Sequence, residues 1–433
     1  MKPEYDACEL NFFTSRRKFL KTSVIGGISA FILPFPLRNN KIVHGAGNCN
    51  FKLSLESPVK YFDGKSCFVH PRAGIIPGGG VKRLPRVVLT MTTQDLSGSD
   101  VFKAAYGMST NDLGQSWSGP FELTNLSPRF EVIDGVERPV ALSDFWPVWH
   151  QHTGKVLGIG HTVVYTPDWK VVNPRPRHTG YSVYDASTDT WSLWQKLEMP
   201  DSDKFYNCGA GSVQRYDLNN GTILLPVYYR PKGENSVSST TVLKCSFDGT
   251  RLNYLEHGDE LRTNVPRGYG EPSLTFFRGR YFMTLRNDEK GYVTRSNDGL
   301  HYEEPLVWKF DDGEELGNYN TQQHWVTHSA ALFLVYTRKG ANNDHVFRHR
   351  APLFIAKVDP ERLCVIRKTE QILVPERGAR LGNFGVTDVS PNETWVTVSE
   401  WMQPKGVERY GSDGSVFVAR IQWKNPNKLF IQD

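Results

Sequence analysis

Short apolar runs rich in β-branched and aromatic residues recur through this 433-residue chain, and their spacing restricts its fold more than any other feature. They lie at 87–92, 156–159, 223–228, 281–285, 332–336 and 395–398. Each follows a second strand-like segment across a turn such as His152-Thr153-Gly154, Asn219-Asn220-Gly221, Arg278-Gly279 or Pro391-Asn392, which is hairpin chemistry. The unit returns at intervals of roughly 50–70 residues, the spacing of propeller blades. Paired inner strands near 66–94, 143–165, 208–230, 269–287, 321–338 and 382–401 give six such units. The chain is therefore expected to be all-β, a six-bladed β-propeller over residues 50–433 whose radial repetition leaves only short sheet edges. A seven-bladed ring is the alternative, because 201–207 and 311–320 have no obvious place in six. An aromatic content of 12%, with 38 Gly and 26 Pro, suits many short strands and tight turns.

The first residues read differently. Ser15-Arg16-Arg17-Lys18-Phe19-Leu20-Lys21 precedes an apolar stretch over 24–37. Paired arginines ahead of a short apolar segment predict a twin-arginine export signal over residues 1–45, and so a periplasmic or secreted protein. The stretch is short, and rich in Gly and Pro, for a membrane span, and an uncleaved anchor is the alternative. Of the six cysteines, Cys8 leaves with the signal, and no Cys-x-x-Cys pair exists. Free buried thiols are expected, with no zinc or redox site. The net charge of +5 suits a solvated, slightly basic surface, and no nucleic-acid partner is expected.

Thr110-Asn111-Asp112-Leu113-Gly114-Gln115-Ser116-Trp117 has the form Ser/Thr-x-Asp-x-Gly-x-x-Trp. Such a segment turns between two outer strands: Asp and the hydroxyl bond local backbone, Gly takes a positive φ, and Trp packs between sheets. Weaker copies stand at Ser296-Asn297-Asp298-Gly299 with Tyr302, and at Ser246-Phe247-Asp248-Gly249. Their role is structural.

Three further segments occur in order: His70-Pro71-Arg72-Ala73-Gly74-Ile75-Ile76-Pro77, then Gly270-Glu271-Pro272-Ser273 with Leu285-Arg286-Asn287, then Tyr336-Thr337 with Phe347-Arg348-His349-Arg350-Ala351-Pro352-Leu353. With the Asp-box turns, they make most of the chain similar to the sialidase (neuraminidase) superfamily. The resemblance implies that Arg72, Arg286 and Arg350 form an arginine triad clamping a sugar carboxylate, with Arg348 and Arg338 as rivals for the third place. Guanidinium groups suit that task because they bind carboxylates bidentately. The resemblance also places Asp100 as acid/base, with Asp95 as rival, and gives Glu271 the task of polarising a nucleophilic Tyr. Here the sequence departs from the pattern. Its last blade opens Gly382-Asn383-Phe384-Gly385-Val386 where sialidases carry Tyr-Ser, and neither Asn nor Phe is a phenolic nucleophile. Tyr269, Tyr319 and Tyr229 are phenols on other blades, and nothing in the sequence selects one.

His161, His324, His345 and His349 are expected at strand ends or loops facing the axis. Arginine with His or Tyr is also the equipment for abstracting a proton beside a uronate carboxylate. A metal pair from His345 and His349 is the weaker reading, and no metal or cofactor is expected. The function expected is an exo-acting glycoside hydrolase on a carboxylate-bearing sugar, sialic or uronic. Its catalytic residues would be Asp100, Glu271 and His324, with Arg72, Arg286, Arg350, His161 and His349 binding substrate. A propeller-type polysaccharide lyase and a non-catalytic glycan binder are the alternatives. The partner expected is an acidic glycan, met by a monomer that is free of the membrane once its signal is removed.

Overall fold

The second strand of every blade carries one of the six apolar runs. These strands are Arg86–Asp95, Lys155–Val164, Thr222–Arg230, Arg280–Arg286, Ala331–Tyr336 and Glu393–Ser399. Each lies between an inner strand and the outer strands of its own sheet, and neighbouring blades cover both its faces. Its residues are therefore buried almost without interruption, which is why the runs are continuously apolar rather than alternating. The computed structural model describes residues 41–43 and 50–430, so the predicted export signal lies outside the described residues apart from the strand Lys41–Val43.

Six sheets of four to six strands follow one another along the chain, forming a six-bladed propeller. The stretches that suggested a seventh blade are connections: 201–206 lead into Asn207–Gly209 of the third sheet, and 311–320 cross from the outer edge of the fourth blade to the inner strand of the fifth. The hydrophobic core is divided among the contacts between blades. Phe333 of the fifth blade meets Val396 and Trp423 of the sixth, and Ile159 and Tyr181 of the second meet Ile223 and Leu243 of the third.

The ring is shut by strands from opposite ends of the chain. Phe384–Ser390, Glu393–Ser399 and Ser415–Trp423 belong to the sixth sheet, and Phe51–Lys60 joins it by pairing antiparallel with the last of these, from Phe51 opposite Trp423 to Lys60 opposite Ser415, with Lys41–Val43 paired along its other edge. Between the outer strands of the first blade, Asp112 accepts from Ser116 N (2.9 Å), Ser116 Oγ (2.7 Å) and Thr110 Oγ1 (2.8 Å), while Trp117 packs 5.8 Å from Trp395 of the sixth blade. Cys67, Cys208, Cys245 and Cys364 are free and buried. Among the described residues no helix is long and apolar enough to cross a membrane.

Candidate active site

Four successive blades break their inner strand in the same way. Pairing slips between Val69 and Arg72, between Ser143 and Trp146 and between Gly270 and Ser273. In the third blade the inner strand is split into Asn207–Gly209 and Tyr216–Asp217. At each break one residue is left-handed: His70 (φ 56°), Asp144 (φ 54°), Ser212 (φ 58°) and Glu271 (φ 41°). A side chain in that conformation costs on the order of 1 kcal/mol or more, and bulges of this kind re-aim side chains. All four side chains line one cavity.

Beneath the cavity lies a buried ion cluster centred on Asp144. Its Oδ1 accepts from Arg72 Nη1 (3.3 Å) and Nη2 (3.4 Å) and from Ser212 Oγ, and lies 3.4 Å from His70 Nε2; its Oδ2 lies 3.7 Å from His161 Nε2. Burial alone would raise the Asp144 pKa, but the surrounding His70, Arg72 and His161 pull it well below the usual carboxylate range. Burial also depresses His70 to about 4 and His161 well below 6.5, so both are neutral at pH 7 and Arg72 is the cation that keeps Asp144 ionised. Arg72 is fully buried and does not line the cavity. Its guanidinium is consumed by Asp144, Ser212 Oγ (2.8 Å) and the Phe384 carbonyl (3.4 Å). This corrects the expectation that Arg72 faces ligand: its sequence neighbour His70 holds that place, two residues before it across the bulge.

The other two arginines of the expected triad do line the cavity. Arg286 is ion-paired with Glu271 and with Asp288 (3.0 Å), and donates to Asn320 Oδ1 (3.3 Å). Arg350 donates to Asn320 O and to Asn320 Oδ1 (3.1 Å), leaving its buried Nε without a partner. Glu271 gives one oxygen to Arg286, and its buried Oε2 has no partner. Asp100 faces the same cavity, 3.5 Å from Arg175. Its loop is pinned by Tyr165, whose hydroxyl donates to the Asp100 carbonyl (2.7 Å) and accepts from Phe102 N (2.9 Å).

Of the expected histidines, only His161 reaches the cavity, where its Nδ1 lies 3.4 Å from Tyr228 Oη. His324 is fully buried in a lower layer, with Nδ1 2.7 Å from Ser273 Oγ and its ring 4.8 Å from both Trp146 and Phe384. It is packed as core, which corrects its expected catalytic place. His349 is also corrected: it turns to Tyr319 and to Asp344 (3.2 Å) and does not line the cavity. Among the rivals, Arg348 lines the cavity, Arg338 is paired with Glu370 (2.6 Å), and Asp95 caps Ser97 N (2.8 Å). His345 pairs with Glu376 (2.9 Å). At the opening of the last blade, Asn383 Nδ2 lies 2.5 Å from His70 Nε2.

Several cavity residues had no sequence signal, three of them central to the site. Tyr228 is the phenol brought to the site, in place of Tyr229, Tyr269 or Tyr319; its ring lies beside Gly270, and burial raises it to about 12. Arg177 and Asp144 are the others. Seven arginines and four carboxylates line the cavity, and with Asp144 neutralised from below the surplus of positive charge is large. Among the described residues no group of three His, Cys, Asp or Glu is arranged to hold a metal ion.

No family model matches the sequence, and no curated protein matches it. Solved structures do. A protein of unknown function from Dyadobacter fermentans DSM 18053 superposes with a TM-score of 0.56 at 14% identity, over 85% of this chain and 99% of that one. The NanB sialidase of Streptococcus pneumoniae, as its K499G mutant, gives 0.55 at 12% identity, over 89% of this chain and 71% of that one. The Trypanosoma rangeli sialidase gives 0.52 at 13% identity; 82% of this chain is covered, and it spans 55% of that longer enzyme. The fold is the six-bladed propeller of the sialidases, and at these identities the likeness speaks to the fold.

Proposed function

We propose that this propeller is an exo-acting glycoside hydrolase that removes a carboxylate-bearing sugar from a glycan. The observation that carries the reading is Glu271 Oε2, a buried carboxylate oxygen with no partner, in a cavity that also holds Asp100 and the guanidinium groups of Arg286 and Arg350. Arg286 and Arg350 receive the sugar carboxylate, Arg350 through its unpartnered Nε. Glu271 Oε2 accepts a proton from the attacking water, while Asp100 gives one to the leaving oxygen. Arg72 acts at one remove, by fixing Asp144 and through it the floor. With Asn383 where the family has its nucleophile, direct attack by water is the simplest route. It inverts the anomeric centre and needs the two carboxyl groups about 6.5–9.5 Å apart.

One observation favours a second reading. Tyr228 and His161 lie 3.4 Å apart in the same cavity, one a protonated phenol and the other a neutral imidazole. That pair suits β-elimination from a uronate, with His161 as base and Tyr228 as acid. Product analysis on a panel of acidic glycans separates the two, since elimination leaves an ultraviolet-absorbing unsaturated uronate and hydrolysis does not. For the hydrolase, Glu271→Gln and Asp100→Asn each lower turnover by about 10²–10⁴-fold while binding survives, and no glycosyl-enzyme adduct is trapped. Full activity in both variants overturns it, and an adduct on Tyr228 overturns direct attack by water.

A further inference from the structure

Arg177 is 4% exposed, yet its guanidinium makes no hydrogen bond or ion pair with any described residue, and its buried Nε and Nη1 are unpartnered. Arg72 in the layer below has three partners, and Arg380, also buried, donates to Gln403 and stacks on Trp401 at 3.6 Å. Of the four buried arginines among the described residues, only Arg177 donates no side-chain hydrogen bond at all. A buried unpaired charge is strongly disfavoured, so its persistence at a cavity wall points to a counter-ion from outside the protein.

The position is built rather than incidental. Arg177 N donates to Tyr206 O (3.2 Å) and Cys208 N donates to Arg177 O (3.0 Å), which fixes the backbone against the third blade. The side-chain stem lies across Gly209, where a Cβ would come within 2.6 Å of Arg177 Cδ. Its guanidinium sits 4.8 Å from the centre of the Tyr228 ring. Two further arginines stand beside it on the cavity wall. Arg175 carries Asp100 at 3.5 Å, and Arg230 donates through Nη1 to Asn235 O (2.7 Å) with its Nε unpartnered. Burial and the like charge of Arg175 both disfavour the ionised form of Arg177, and a bound oxyanion would relieve both.

We propose that Arg177, flanked by Arg175 and Arg230, is a second oxyanion site, and that the sugar this cavity accepts carries two anionic groups: the carboxylate held by Arg286 and Arg350, and a second one, a sulfate ester or a further carboxylate, held by Arg177. The inference rests on the glycan reading above for its substrate, but the anion site stands on its own geometry. It also accounts for the charge surplus, which one carboxylate leaves mostly unmatched.

The test uses the whole protein and three probes: inorganic sulfate, acetate and glucuronate, each titrated calorimetrically. Sulfate is expected to bind and to remain bound when glucuronate is added. Arg177→Gln is expected to weaken sulfate by about tenfold or more, while glucuronate changes by no more than about twofold. Acetate displacing sulfate from Arg177 at equal concentration assigns the site to a carboxylate; failure to displace it assigns the site to sulfate. Arg230→Gln, checked by circular dichroism, serves as the second variant should Arg177→Gln misfold, and it should weaken sulfate in the same direction. Sulfate that binds equally well to wild type and both variants, or that competes with glucuronate for one site, overturns the proposal. Sulfate binding that requires Arg177 while glucuronate does not bind at all keeps the anion site and removes the glycosidase reading instead.

Discussion

Asp144→Asn isolates the charge that the floor of the cavity depends on. The substituted amide keeps an oxygen able to accept from Arg72 and Ser212 but carries no charge, so the fully buried Arg72 loses its counter-ion. Breaking a buried pair by neutralising one partner costs about 3–5 kcal/mol, because the other charge is left uncompensated. The Asp144 side chain is 12% exposed, so cavity water screens part of the loss and the lower figure, about 3 kcal/mol, is expected. Unfolding entropy of about 2.1 cal/mol/K per residue makes that a fall of roughly 4 °C in Tm for a domain of this size. The assay is urea and thermal unfolding followed by tryptophan fluorescence. Arg72→Met combined with Asp144→Leu removes both charges and should recover most of the loss, since an apolar replacement of a buried pair is often neutral or better. An Asp144→Asn protein that melts with the wild type, or a double variant no better than the single one, refutes the assignment of Arg72 as the buried partner.

Acid should destabilise the fold early. Burial depresses His70 and His178 to about 4 and holds His161 and His324 well below 6.5, so their stabilising effect is complete above about pH 6.5 and is lost as pH falls toward 4. Asp388, raised to about 6 by burial, works in the opposite sense over the same range, but it is one group against four. Urea midpoints at pH 7.5 and pH 5.0 should therefore differ by more than about 2 kcal/mol of stability, and equal midpoints would show that these imidazoles are not buried. Asp112→Ala should cost about 1–2 kcal/mol by releasing the turn hydrogen bonds around it, with ligand binding unchanged; an unaltered urea midpoint would show that the turn holds without them. Arg16→Lys with Arg17→Lys should leave the precursor in the cytoplasm, detected by fractionation, and normal delivery would remove the twin-arginine reading.

The blades were legible because the signal is local. A strand buried on both faces must be apolar throughout, and a turn such as Asn219-Asn220-Gly221 announces itself within three residues. Glu271, Arg286 and Arg350 lie in ordered motifs, Asp100 was placed by the resemblance alone, and all four line the cavity. Asp144 was not, since Ser143-Asp144-Phe145-Trp146 reads as ordinary strand and nothing local demands a left-handed backbone from an Asp. Arg177 and Tyr228 gain their meaning only from each other and from Gly209, on segments the ring brings together. His324 shows the converse limit. A residue opening an inner strand points toward the axis, but the layer it occupies depends on neighbouring blades, and Trp146 and Phe384 close over it.

The sheet that joins Phe51–Lys60 to Ser415–Trp423 sets an order of events. A ribosome makes one of these strands before the five blades that lie between them and the other after those blades, so hairpins of the first five blades can form during synthesis while the sixth waits for its final strand. Until then two blade faces stay uncovered, with the apolar surfaces of Phe51 and Trp423 among them. The closing contact carries the other five blades as its loop, a slow step by the entropy of closure and one in which such an intermediate is open to aggregation. Completion of the ring is therefore a single late event, and the contacts that His70 makes with Asn383 and Arg72 with the Phe384 carbonyl form only once it has taken place.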